Sequence, residues 1–139
     1  MTVLPSFRTD FYVRASFVDE SKINNSAQTL LGALVRSGQF KDLKLSKMNA
    51  SGKVWHEIQG KIAVPEGFRG FYVIVRKRSH EDPFNVFMRL DRQSEAPTIE
   101  EAGEKSLKWV RSVIETVQAS ITLRDVKIER PEDHISVKA

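Results

Sequence analysis

The 139-residue chain contains no cysteine, which removes disulfides, thiolate nucleophiles and every cysteine-ligated zinc or iron–sulfur site from consideration. Histidine is scarce as well. The three histidines, His56, His80 and His134, form no H-x-x-H or H-E-x-x-H pair, so no metal site is expected. His80-Glu81-Asp82 ahead of Pro83 reads as a polar hairpin turn, and His56 falls in the apolar phase of its strand, as a core or edge histidine does. Phosphate-cradling glycine loops are missing, because Gly67-Phe-Arg-Gly70 has neither the spacing nor a following helix, and no G-x-S-x-G elbow occurs. These absences point away from an enzyme and from a bound cofactor. No run approaches the roughly 18 to 20 apolar residues of a membrane span, and residues 1–10 lack the apolar core of a signal peptide. A soluble protein of a reducing compartment, the cytoplasm, is the expectation.

What is present is ordinary globular composition: 40% hydrophobic and 29% charged residues, with a length that suits a single domain over residues 1–139. The net charge is +4, and its distribution says more than its size. Residues 36–92 hold twelve Lys and Arg against six Asp and Glu, so the middle of the chain is basic and its flanks slightly acidic. Such an asymmetry suits contact with a polyanion or with an acidic protein surface.

Hydrophobic periodicity divides the chain into eight elements. Residues 11–18 alternate Phe11, Val13, Ala15 and Phe17 against Tyr12, Arg14 and Ser16, as a half-buried strand does. Residues 21–37 carry Ile23, Ala27, Leu30, Leu31, Leu34 and Val35 on one helical stripe, with Asp19 or Ser21 as N-cap and Gly38 as the stop. Gly32 within that helix costs stability, which implies close backbone packing or a tolerated cost. An extended piece at 43–48, the turn Asn49-Ala-Ser-Gly52 and a strand at 53–64 predict a hairpin. After Pro65-Glu-Gly67, residues 68–78 form the most strand-like run, the turn at 79–83 follows, and residues 84–92 return as a strand. Thr98 and Glu101 make a capping box for a helix over 99–119, supported by Glu101–Lys105 and Glu104–Lys108 pairs. Residues 121–129 read as a last strand and 130–139 as a polar tail. The order β-α-β-β-β-β-α-β predicts an α+β fold of two layers, a largely antiparallel sheet with both helices packed on one face.

Strand parity then sorts the side chains. Val54, Ile58 and Ile62, then Phe71, Val73 and Val75, then Val86, Met88 and Leu90 should join Phe11, Val13 and Ala15 beneath the helices. The other face should carry Tyr12, Trp55, Tyr72 and Phe87 among Arg14, Lys53, Lys61, Arg76, Arg78 and Arg89, with Asn85 alongside and only Glu57 and Asp91 opposing. Unpaired bases stack on such rings for about 1–3 kcal/mol each while cations neutralise the phosphates between them, so the pattern suits a single strand of RNA or DNA better than a duplex. The same aromatic and Arg-rich patch would also serve as a protein hot spot, either for an acidic partner or for a homodimer.

Two resemblances bear on this. Arg69-Gly-Phe-Tyr-Val-Ile-Val75 resembles the ribonucleoprotein motif of RNA-recognition domains, and Phe11-Tyr-Val-Arg14 its companion strand; Tyr72 departs from it where that motif has a small residue, and a strand rather than a helix follows. Four strands followed by a helix, residues 43–119, resemble in topology half of the single-strand-binding domains of the Whirly and Pur type, which implies a nucleic-acid-binding sheet.

Overall fold

The alternating stretches become the strands of one sheet, and the two 3.6-period stretches become the helices that cover it. The computed structural model describes residues 3–17, 20–62, 70–79 and 83–130. Its elements are β1 (Ser6–Ser16), α1 (Ile23–Ser37), β2 (Phe40–Ala50), β3 (Lys53–Ile62), β4 (Gly70–Val75), β5 (Val86–Glu95), α2 (Ile99–Gln118) and β6 (Arg124–Glu129). All neighbours pair antiparallel in the order β2-β3-β4-β5-β1-β6. Four consecutive strands thus form a meander, and β1 closes onto its last member. Both helices pack on one face, α1 over β2 and β3 and α2 over β1 and β5.

The core lies between sheet and helices. From the sheet it takes Phe11, Val13, Ile58, Val73, Met88 and Leu90; from the helices it takes Leu30, Leu34, Val110, Val113 and Val117. Burying a residue of this kind is worth roughly 1.5–3 kcal/mol, and the buried set has the parity expected of the strands. Phe40 stacks on Phe71 with ring centroids 4.2 Å apart, and Trp109 closes the cluster while its Nε1 donates to Gln39 Oε1 at 2.8 Å.

Local chemistry sets the ends of most elements. α1 ends on Gly38 in the left-handed conformation (φ 68°), and Ser51 and Gly52 both take positive φ in the two-residue loop between β2 and β3, as a hairpin turn matched to strand twist requires. Thr98 caps α2 by accepting from the Glu101 N–H at 3.2 Å. Gly60 has another function: a Cβ there would stand 2.8 Å from Leu43 Cδ2 and 3.1 Å from the Lys41 carbonyl, where β2 slips register between Lys41 and Lys44.

Several boundaries differ from the sequence expectation. β1 begins at Ser6, because Phe7 and Thr9 continue the buried phase upstream of Phe11. A 3₁₀ turn, Glu20–Lys22, precedes α1, and the residue at its N-cap is Lys22, with no side-chain cap; Ser21 does not cap the helix. Val35, expected on the apolar stripe of α1, is exposed instead, and Gly32 meets only the Arg36 side chain, so its cost is simply tolerated. β6 starts at Arg124 rather than at residue 121, since the Ile121 N–H still bonds to the Val117 carbonyl at the end of α2. The turn at 65–67, the Asp19 cap, the His80-Glu81-Asp82 turn and residues 131–139 of the tail lie outside the described residues.

Because the Lys41 carbonyl is backbone and cannot swing away, Gly60→Ala is expected to cost about 1–3 kcal/mol of stability in chemical denaturation. Thr98→Ala, which removes a single cap bond, is expected to cost about 1 kcal/mol without altering the sheet.

Candidate functional site

The period of two that buries Val13, Val73 and Met88 pushes their neighbours to the opposite face, and no described element covers that face. Strand register aligns the exposed set in rows across the whole sheet. Lys44, Gln59, Tyr72, Arg89, Tyr12 and Glu129 stand side by side in one row. Ser46, Glu57, Ile74, Phe87, Arg14 and Lys127 form the next.

Three of the four expected rings come together. The Tyr12 and Tyr72 rings lie 5.4 and 6.1 Å from the Phe87 ring, tilted against it, so the three make one half-buried aromatic patch. Arg14 lies over Phe87 with its Cζ 5.1 Å from the ring centroid, and Arg89 sits between the two tyrosines in the row. Trp55 stands apart near the start of β3, opposite Met48, and lines a cavity with Tyr72 and Arg76.

The expected cations separate into two groups. Arg14 and Arg89 belong to the patch; Lys53 and Lys61 are exposed on β3 on either side of it, Lys61 being 3.9 Å from Asp42. Arg76 and Arg78 follow the end of β4. The Arg76 N–H donates to the Asn85 carbonyl at 2.8 Å, while the exposed Arg78 lies beyond the aligned rows.

Two outward placements and one inward placement need correction. Asn85 is buried: its Oδ1 accepts from the Phe17 N–H at 3.0 Å and its Nδ2 donates to the Arg76 carbonyl at 3.0 Å, so it locks the chain after β4 to the sheet. Val54, expected in the core, is 48% exposed because β3 runs past the helical cover there. Asp91 does not stand free on the face but is buried beside Asp10, its partner across β1 and β5.

This last pair changes the electrostatics of the face. Arg8 donates from Nε to Asp10 at 3.1 Å and from Nη2 to Asp91 at 2.7 Å, and Arg89 approaches both carboxylates at 3.6–3.8 Å. Arg14 is likewise paired with Glu129 of β6. The face therefore carries Asp10 and Glu129 besides Glu57 and Asp91, and it also gains Arg8, Lys44 and Lys127, none of which parity counting over residues 11–18 could assign. The upstream signal is Phe7 and Thr9, two further alternating positions, interleaved with the charged Arg8 and Asp10. Burial and the adjacent Asp10 carboxyl push the Asp91 carboxyl above its ordinary range, against the pull of Arg8. A smaller cavity of about 420 Å³ opens beside this cluster, bounded by Arg8, Asp91, Arg89, Tyr72 and Gln59.

No family model and no curated protein sequence matches the chain. The site therefore rests on its own chemistry. Among the described residues no cluster of three metal-ligating side chains occurs, and no helix is long and apolar enough to cross a membrane.

A carboxyl held above its unfolded titration range binds its proton more tightly in the folded chain. Its stabilising contribution is complete below about pH 4 and is lost as pH rises through the raised Asp91 titration. Asp91→Asn is expected to abolish that component, so its melting temperature relative to the parent should climb as pH rises above about 4, the ordinary carboxylate range, through the raised Asp91 titration. A pH-independent difference in thermal melts followed by circular dichroism would show that the Asp91 carboxyl is not held above its ordinary range.

Proposed function

We propose that the open face of the sheet binds single-stranded nucleic acid, RNA or DNA, as a cytoplasmic binding protein without catalysis and with little base preference. The observation that carries this reading is the contiguous Tyr12–Phe87–Tyr72 patch with Arg14 and Arg89 set into it on a face that no described element covers. Rings separated by 5.4 and 6.1 Å offer successive stacking platforms, each worth about 1–3 kcal/mol to an unpaired base. A duplex keeps its bases stacked internally and gains nothing from such rings.

The ion pairs refine the electrostatic part of the reading. Arg14 and Arg89 already face carboxylates, so a phosphate must share them, whereas Lys44, Lys53 and Lys127 extend the cationic track across the rest of the sheet. Affinity should consequently depend more on stacking, and less steeply on salt, than the number of basic residues on the face implies.

The test is fluorescence anisotropy with single strands of about ten nucleotides at low salt, since one sheet accommodates a strand of that order. Saturable binding, preference over the matching duplex and quenching of Trp55 are expected. Phe87→Ala, which removes the central ring, should weaken binding by about 1–3 kcal/mol without changing the far-ultraviolet circular dichroism. Absence of saturable binding, or equal affinity for the duplex, sinks the reading. A dimer in sedimentation that dissociates on Trp55→Ala in the absence of nucleic acid would instead assign the face to a protein partner.

A further inference from the structure

The sheet is notched at one corner. The last β3–β4 pair is His56 with Val75, so Lys53, Val54 and Trp55 run on without a β4 partner, paired only to β2. The chain after β4 turns aside, held to β5 by Asn85. Between them lies the larger cavity, about 990 Å³, which reaches from Trp55 and Tyr72 on the open face to His56 on the helix side. A wall of this cavity is the start of α1, at Ile23 and Asn24.

Four cations line the notch: Lys47, Lys53, Arg76 and Lys77. Glu57, a carboxylate on the same lining, accepts from Gln59 Nε2 at 3.2 Å. His56 is 8% exposed and makes no hydrogen bond or ion pair with the described protein groups, although it lines a space large enough to take a ligand. Its imidazole is held below its ordinary range by burial and by Lys47, which stands opposite it on β2. A mostly buried donor-acceptor ring that lines a cavity among cations suits an anion with several acceptor oxygens.

We propose that this notch seats a terminal phosphomonoester of the bound strand, with its base against Trp55 on the open face and its phosphate beside Lys47 and His56 on the helix side. The inference rests on the single-strand reading of the face and names which part of the strand meets this corner. Charge selects an end over an internal phosphate. A phosphomonoester carries up to two charges where a phosphodiester carries one, which better matches the clustered lysines.

The experiment compares short single strands of one sequence bearing a 5′-phosphate, a 3′-phosphate or hydroxyls at both ends, by anisotropy with the label kept at the opposite terminus. One phosphorylated end is expected to bind about tenfold or more tightly than the hydroxyl-ended strand, as charge-assisted hydrogen bonds to a phosphate imply. Lys47→Ala, at an exposed position, and His56→Gln should each erase that advantage while leaving hydroxyl-ended binding unchanged. Tyr12→Ala should weaken all three strands alike. Equal affinity of all three strands for the parent overturns the end site and leaves the sheet reading intact. Adenosine 5′-monophosphate, followed through the His56 and Trp55 nuclear magnetic resonance signals, separates the remaining case: shifts with it but no binding of any strand overturn both the strand end and the sheet reading in favour of a free nucleotide.

Discussion

The two-residue period of β1, β4 and β5 is the constraint from which the rest of the molecule follows. Phe11 and Val13, Phe71 and Val73, Met88 and Leu90 must leave water together, and the only surface that receives them is the underside of the two helices. Tyr12, Tyr72, Phe87 and Arg89 alternate with them on the same strands, so burying one set presents the other. A slip of one residue in any of the three strands would exchange the two faces, with a core's worth of apolar area opposing it. The candidate site is therefore as rigidly specified as the core itself.

Sheet order adds to this what single strands lack. β5 lies between β4 and β1, which places Phe87 between Tyr72 and Tyr12 and turns three separate aromatic positions into one patch. The same adjacency places Asp91 against Asp10 and brings Arg8 and Arg89 around them. Burial and the neighbouring Asp10 carboxyl push the Asp91 carboxyl above its ordinary range, while the guanidinium groups of Arg8 and Arg89 face both carboxylates. Aromatic patch and ionic cluster share Arg89, so the electrostatics of the face cannot be separated from its stacking surface.

At the notch the meander has a different consequence. The β2–β3 hairpin outruns β4, leaving Trp55 and His56, neighbours in sequence, on opposite faces around a single opening. Lys47 and Lys53 flank that opening because hairpin pairing returns β2 alongside β3.

Periodicity and turn chemistry in the sequence were sufficient for the element order, the antiparallel meander and the division of Tyr12, Trp55, Tyr72 and Phe87 from the core, because these depend on residues a few positions apart. Gly38 and Thr98 likewise act within a single turn of chain. Strand adjacency depends on partners far away in sequence, such as Arg8 with Asp91 or Arg14 with Glu129, and local pattern carries no information about them. The buried fate of Asp10, Asp91 and Asn85, the neutralised arginines and the opening between Trp55 and His56 were decided by tertiary structure, since burial of a polar group is settled by who its neighbours are and not by its own chemistry.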